Sequence, residues 1–187
     1  MNYKKEFQTE RLILRPWREQ DAPDCYRYSQ NPRVGPMTGW PVHTSVEDSL
    51  RIIRNVLSEP GTYAICLKED NRAIGSISLF QSRNSCAKEG ELEIGFWLGE
   101  PFWGKGYVPE AVRELQRYCF EELDCEVLWC AYWDINVKSK RAQEKCGFLY
   151  HHTDENQYNA LMDDYRTHCV NLLTKAQWER DLRENRR

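Results

Sequence analysis

One stretch constrains the fold more than any other. Residues 91–111 read Glu-Leu-Glu-Ile-Gly-Phe-Trp-Leu-Gly-Glu-Pro-Phe-Trp-Gly-Lys-Gly-Tyr-Val-Pro-Glu-Ala. The apolar run 94–98 suits a buried strand. Gly104, Lys105 and Gly106 then make a short loop, and Pro109 falls in a first helical turn, where its missing N–H is no loss. The helix that follows turns Val108, Ala111, Val112, Leu115 and Cys119 to one side and Arg113, Glu114, Arg117 and Glu121 to the other. A glycine loop feeding a helix N-terminus aims several N–H groups at one point, with the helix dipole behind them. That is a site for a phosphate or another anion. It is not a nucleotide P-loop, because Gly106 stands where Ser or Thr would follow the lysine.

The flanking segments fit one mixed sheet with helices. Residues 9–17 alternate as a short strand, with Leu12 and Leu14 inward and Arg11, Ile13 and Arg15 outward. Asp21 is placed to cap a helix running to Asn31-Pro32. Residues 33–43 are loop. Thr44 to Glu47 resembles a capping box, and Val46, Leu50, Ile53 and Leu57 then mark one helical face. Strands over 62–68 and 72–80 form a hairpin through Glu69-Asp70-Asn71. A polar connection, 81–90, precedes the central stretch. Residues 125–133 are apolar enough for a strand buried on both faces. Asn136 caps a helix that stops at a left-handed Gly147, with Phe148 behind it. Strands over 148–154 and 165–174 follow, and residues 175–187 are helical or frayed. The β-α-β order in the middle requires a parallel pair between 94–98 and 127–133, inside an otherwise hairpin-built α/β (α+β) sheet.

A chain of 187 residues suits one domain, here residues 9–175 with a polar tail over 176–187. Its net charge of −3 argues against a general nucleic-acid binder. No run is long and apolar enough for a bilayer, and the N-terminus lacks a signal-peptide core, so a cytoplasmic protein with no membrane partner is expected. Eight cysteines occur without a C-x-x-C pair or zinc-finger histidine spacing. They read as free thiols used as small hydrophobes in a reducing compartment, and no metal site is expected. His43 and His151-His152 have no partner pattern for metal or nucleophilic chemistry.

Two segments together resemble the GNAT acetyltransferase superfamily, and within it the RimJ/RimL branch of ribosomal-protein N-terminal acetyltransferases. They are 93–98 with 102–111, and Asn136-Val-Lys-Ser-Lys-Arg-Ala-Gln-Glu-Lys-Cys-Gly-Phe148. The opening Thr9-Glu-Arg-Leu-Ile-Leu-Arg-Pro16 resembles the branch's first strand. The resemblance implies a mostly antiparallel sheet whose fourth and fifth strands splay, with acetyl-CoA in the gap. Its pantetheine would lie along Phe96, Trp97 and Leu98. Its pyrophosphate would lie over the amides of Gly104, Lys105, Gly106, Tyr107 and Val108, with Trp103, Asn136 and Ser139 in contact. Two positions depart from the superfamily pattern. Val108 stands where Gly or Ala is usual, and Gln143 stands where many members carry a tyrosine acid. An amide cannot supply that proton.

The chemistry implied is acetyl transfer to a primary amine, either a protein N-terminal α-amine or a small amine. The ammonium must lose a proton and the leaving thiolate must be stabilised. Glu93 is the expected base, with Glu91 as runner-up, and Ser139 the expected acid. A structural carboxylate and a local backbone bond are the plain readings of Glu93 and Ser139. Gly95 is expected to mark a bulge. The amine pocket is expected from 31–43 and from a late loop, 152–164, carrying Asp154, Glu155, Asp163 and Asp164, with Trp40 at its mouth or in a satellite core. Tyr132 and Trp133 read as core. The rival class is a non-catalytic acyl-CoA-binding or sensory module. Oligomeric state is not legible.

Overall fold

The computed structural model describes residues 3 and 5–184. An eight-stranded sheet in the order β1-β2-β3-β4-β5-β6-β8-β7 organises it. The strands are β1 (Phe7–Gln8), β2 (Leu12–Arg15), β3 (Thr62–Leu67), β4 (Ala73–Gln81), β5 (Leu92–Leu98), β6 (Val127–Trp133), β7 (Leu149–Asn159) and β8 (Asp164–Thr174). Neighbours pair antiparallel except β5 and β6, which are parallel as the β-α-β order requires. Helices α1 (Ala22–Ser29), α2 (Val46–Ile52), α3 (Tyr107–Arg117), α4 (Val137–Glu144) and α5 (Lys175–Glu184) flank the sheet. α2 and α3 each continue as a widened π turn, over Ile53–Leu57 and Tyr118–Glu122.

The apolar periods of the sequence explain the packing. β3 buries five of its six residues, as a strand covered on both faces should. α3 turns Ala111, Val112 and Leu115 into the core. At the end of α4, Gly147 takes φ +82°, and the Phe148 N–H closes on the Gln143 carbonyl at 3.2 Å, a Schellman arrangement. All eight cysteines are free thiols, and five are buried.

Several sequence expectations are corrected here. The first strand is shorter than 9–17, and Arg15 points inward, 1% exposed. All five of its N–H groups are used: two on Asp21, two on Asn71 and one on the Pro16 carbonyl. Asp21 stands at the N-cap position of α1 as expected, but its side chain makes no capping bond to that helix. Its carboxylate holds Arg15 and accepts the Arg18 N–H at 2.8 Å. The cap of α2 lies one residue later than expected: Ser45 accepts the Asp48 N–H at 3.1 Å, while Asp48 accepts the Thr44 N–H at 3.0 Å. Gly95 is not a bulge. The β4–β5 register runs unbroken from Gly75–Leu98 to Gln81–Leu92, and a Cβ at Gly95 would sit 3.0 Å from the exposed Phe80 ring, which would have to shift slightly. The late loop is largely strand, since β7 and β8 extend across it as a hairpin arm. The tail, expected to be helical or frayed, is helix α5 over Lys175–Glu184, and its Trp178 packs on Phe120. Residues 185–187 lie outside the described residues.

Candidate active site

β5 and β6 are paired at Leu92–Leu128 and Glu93–Trp129 and then part. The gap opens into a cleft of about 700 Å³. Its walls are β5 from Phe96 to Leu98, the glycine loop with the start of α3, the start of α4, and the turn from Pro32 to Thr38. The size and the mixed apolar and polar lining suit a small-molecule site.

Alternation along β5 decides which backbone groups face the gap. The Ile94 carbonyl accepts from the Cys130 thiol of β6 at 3.1 Å, so the backbone of Ile94 points toward β6. Phe96 and Leu98 then face the gap, while Trp97 pairs with β4 opposite Ser76. The Leu98 carbonyl is taken by the Trp103 indole N–H at 2.7 Å. All three residues line the cleft, Phe96 and Leu98 with their backbone turned toward the gap.

The loop owes its shape to two left-handed glycines, Gly104 at φ +76° and Gly106 at +81°. Gly106 is the N-cap of α3 and has no side chain to close the helix end. The Tyr107 and Val108 amides therefore start the helix at the cleft wall. The loop is tied down from behind. Glu110 accepts from the Thr9 hydroxyl and from both the backbone N–H and Nε of Arg11, and Arg11 Nη1 donates to the Lys105 carbonyl at 3.0 Å. Burial pushes the Glu110 carboxyl up, but these donors outweigh it and hold its pKa below the usual carboxylate value. Lys105 itself does not line the cleft. It lines a groove on the outer side of the loop, with Arg11 and Arg113. Val108 does line the cleft, and it also packs on the core.

Ser139 lines the cleft in the first turn of α4. Asn136 caps that helix, accepting the Ser139 N–H at 3.1 Å, and its amide N–H donates to the Met37 carbonyl at 2.9 Å. Gln143 is 1% exposed. Its Nε2 donates to the Ala131 carbonyl and to Ser139 Oγ, both at 3.1 Å. Its Oε1 accepts from Asn171 at 2.8 Å. The Ala131 carbonyl can only accept, which fixes the amide orientation. Ser139 Oγ is thus the acceptor of that bond and keeps its own proton to donate elsewhere. Sequence reasoning missed this relay, because Asn171 lies far along the chain on β8.

Glu93 does not line the cleft. It sits at the last paired position before the splay, on the β5 face shared with Trp97. Ser82 Oγ donates to it at 2.6 Å. Burial raises its pKa; the Ser82 bond lowers it and the nearby Asp154 charge raises it further, for a net upward shift. Glu91, the runner-up, is occupied, accepting from the Trp129 indole at 2.7 Å and the Lys88 N–H at 3.0 Å.

On the face of Trp97, aromatic rings build a wall. Trp17 stacks on Trp97 at 6.1 Å and Trp40 meets it edge-on at 5.6 Å. Trp40 packs against the core and is not part of the cleft lining. Trp133 is buried and Tyr132 half-buried. His43 is a satisfied core histidine on Ser49, with burial lowering its pKa. In the hairpin arm Asp154 is held by Ser85, Asp163 by Tyr158 and Asp164 by Arg166.

A family model described as an acetyltransferase (GNAT) domain matches residues 11–149. The chain belongs to the GNAT acetyltransferase family. It is 33% identical over 123 residues to an uncharacterized N-acetyltransferase, p20, of Bacillus licheniformis, covering 62% of this chain and 66% of that protein. It is 37% identical over 89 residues to the FsC-acetyl coenzyme A-N(2)-transacetylase of Aspergillus fumigatus, covering 47% of this chain and 38% of that one. The chain thus spans less than two thirds of the length of either relative. Its fold is shared with the ribosomal-protein-S5-alanine acetyltransferase of Vibrio fischeri, with a TM-score of 0.69 and 17% identity over 94% of this chain and 99% of that one. The mixed sheet with its one parallel pair is the GNAT fold, and the RimJ/RimL likeness of the sequence agrees with it. Among the described residues no helix is long and apolar enough to cross a membrane.

Proposed function

We propose that the protein transfers the acetyl group of acetyl-CoA directly to a primary amine. The observation that carries this reading is the cleft where β5 and β6 part. It joins the gap-facing backbone of Phe96 and the Leu98 N–H, the glycine loop and the Ser139 hydroxyl in one volume. Acetyl-CoA supplies the acyl group as a thioester. Its phosphates suit the amides at the start of α3, and the gap-facing backbone of Phe96 and Leu98 suits its amide-bearing arm. Ser139 passes its proton to the departing sulfur and takes up in its place the second proton that the amine nitrogen loses as the adduct collapses, with Gln143 donating to the hydroxyl oxygen and Asn171 holding Gln143. Glu93, whose raised pKa makes it a better base than an ordinary carboxylate, takes the ammonium proton through a bridging water, since it stands outside the cleft. The name of the Vibrio fischeri relative and the RimJ/RimL likeness favour a protein N-terminal α-amine as acceptor, ahead of a small amine.

The test incubates the protein and acetyl-CoA with alanine- and serine-initiated peptides, polyamines and aminoglycosides, and follows CoA and acetylated amine by chromatography. Acceptor-dependent CoA release with acetylated peptide is expected. CoA binding without release from any amine would assign the chain to non-catalytic CoA sensing instead.

A further inference from the structure

Away from the cleft, a second group of chemically capable side chains converges. Cys86 of the β4–β5 loop meets His151 and His152 of β7, and one donor atom from each lies within 4.8 Å of the others. Their separation along the chain hides the cluster from sequence reading.

Two features build this cluster. The first is a β-bulge. Tyr150 pairs with Asn171 and His152 with Val170, so His151 is the extra residue of β7. Successive strand residues ordinarily point to opposite faces. The bulge breaks that alternation and brings the two imidazoles together, Nδ1 to Nδ1 at 2.8 Å. The second is Asp154. It accepts the Ser85 N–H at 3.1 Å and the Ser85 hydroxyl, which fixes the loop beside Cys86. Its other contact is with His152 Nε2, 3.4 Å away. That nitrogen is buried and has no hydrogen-bond partner among the described residues. A carboxylate behind the outer nitrogen is how metal-bound imidazoles are held in tautomer and orientation. The Trp129 ring stands edge-on to both imidazoles, at 5.1 and 6.0 Å, and walls the cluster on one side.

We propose that Cys86 Sγ, His151 Nδ1 and His152 Nδ1 bind a divalent cation of the zinc class. Asp154 accepts the His152 Nε2–H, and a water fills the fourth position. One thiolate and two imidazoles select zinc over magnesium or calcium, which require oxygen. Bonds of about 2.1 Å to nitrogen and 2.3 Å to sulfur place tetrahedral donors roughly 3.3–3.6 Å apart. The cluster reaches that spacing by movements of about 1 Å, open to the exposed side chains of Cys86 and His151. Loading releases the thiol proton of Cys86 and replaces the hydrogen bond between the two Nδ1 atoms with two metal bonds.

The test titrates Co²⁺ and then Zn²⁺ into the full chain, stripped of metal and kept reduced with a phosphine. One Co²⁺ per chain is expected, with a thiolate-to-cobalt charge-transfer band and tetrahedral ligand-field intensity, both removed by Zn²⁺. Cys86→Ser should abolish the charge-transfer band. His151→Gln, and separately Asp154→Ala, should weaken binding at least about tenfold. Cys125→Ser and Cys169→Ser should change nothing. Cys86 and His151 are exposed, so their variants retain the fold, which circular dichroism checks. Absence of a stoichiometric band in the wild type, or its survival in Cys86→Ser, overturns the site.

Discussion

At the scale of single residues, the proposed chemistry rests on two groups with different surroundings. Glu93 is a carboxyl whose pKa is pushed up by burial, facing Ser82 on the β4–β5 connection, Asp154 on β7 and the Cys130 thiol on β6. A base must be ionised, so the rate should fall as pH drops through its raised pKa. Glu93→Gln should lower the acceptor-dependent rate by roughly 10²–10⁴ and remove that acidic limb. An unchanged pH–rate profile would take Glu93 out of the role. Stability gives an independent reading. A carboxyl with a raised folded-state pKa favours the fold while protonated, and that contribution is lost as pH rises through the folded-state pKa. The stability difference between Glu93→Gln and wild type should therefore grow in the variant's favour from acid toward neutral pH, measured by urea unfolding. The Ser139 relay separates differently. Gln143→Leu keeps the volume but drops three hydrogen bonds and leaves the buried Asn171 amide unpaired. It should lower kcat while the KM for acetyl-CoA holds, and should cost about 1–3 kcal/mol of stability. A Ser139→Ala background should erase the further effect on kcat; independent losses in the double variant would show that Gln143 acts by another route.

At the scale of elements, the loop between β5 and α3 depends on its anchor. Glu110 ties α3 to the residues before β2, and Arg11 carries that tie to the Lys105 carbonyl. Glu110→Ala should raise the KM for acetyl-CoA several-fold with little change in acceptor KM, read from initial rates with each substrate varied. The buried Arg15–Asp21 pair sets a contrasting case, far from any chemistry. Asp21→Ala strands a guanidinium and should cost about 3–5 kcal/mol in chemical unfolding while leaving both KM values alone. These two elements also mark how far the sequence could be read. The strand, the glycine loop and α3 were legible because period, glycine and proline all point the same way in one contiguous stretch. Arg15 was not, because charge on an alternating strand reads as solvent-facing, and its partners Asp21 and Asn71 come together only in the fold. The outer half of β7 was missed for another reason. It is the edge strand of the sheet and polar on both faces, so residues 152–159 carry no hydrophobic period to distinguish strand from loop.

At the scale of the whole molecule, the turn over residues 32–40 joins the two sides of the cleft. Three side chains hold its carbonyls: Asn136, the cap of α4, on Met37, Asn159 of β7 on Gly39 at 3.0 Å, and Arg166 of β8 on Pro36 at 2.9 Å. Gly35 makes the turn possible from within, since a Cβ there would lie 2.4 Å from the Trp40 ring. The hairpin arm of β7 and β8 therefore does more than extend the sheet. It holds a turn that lines the cleft together with Phe96, Trp97 and Leu98. In the proposed reaction this turn belongs to the amine. Arg166→Ala with Asn159→Ala releases two of the three carbonyls and leaves Asn136, the loop and α3 untouched. The double variant should raise the acceptor KM by about tenfold, as loss of two hydrogen bonds of roughly 0.5–1.5 kcal/mol each implies, while the KM for acetyl-CoA stays within about twofold. Equal movement of both constants would mean that the turn shapes the cofactor side as well, and that the acceptor enters elsewhere along the face of Trp97.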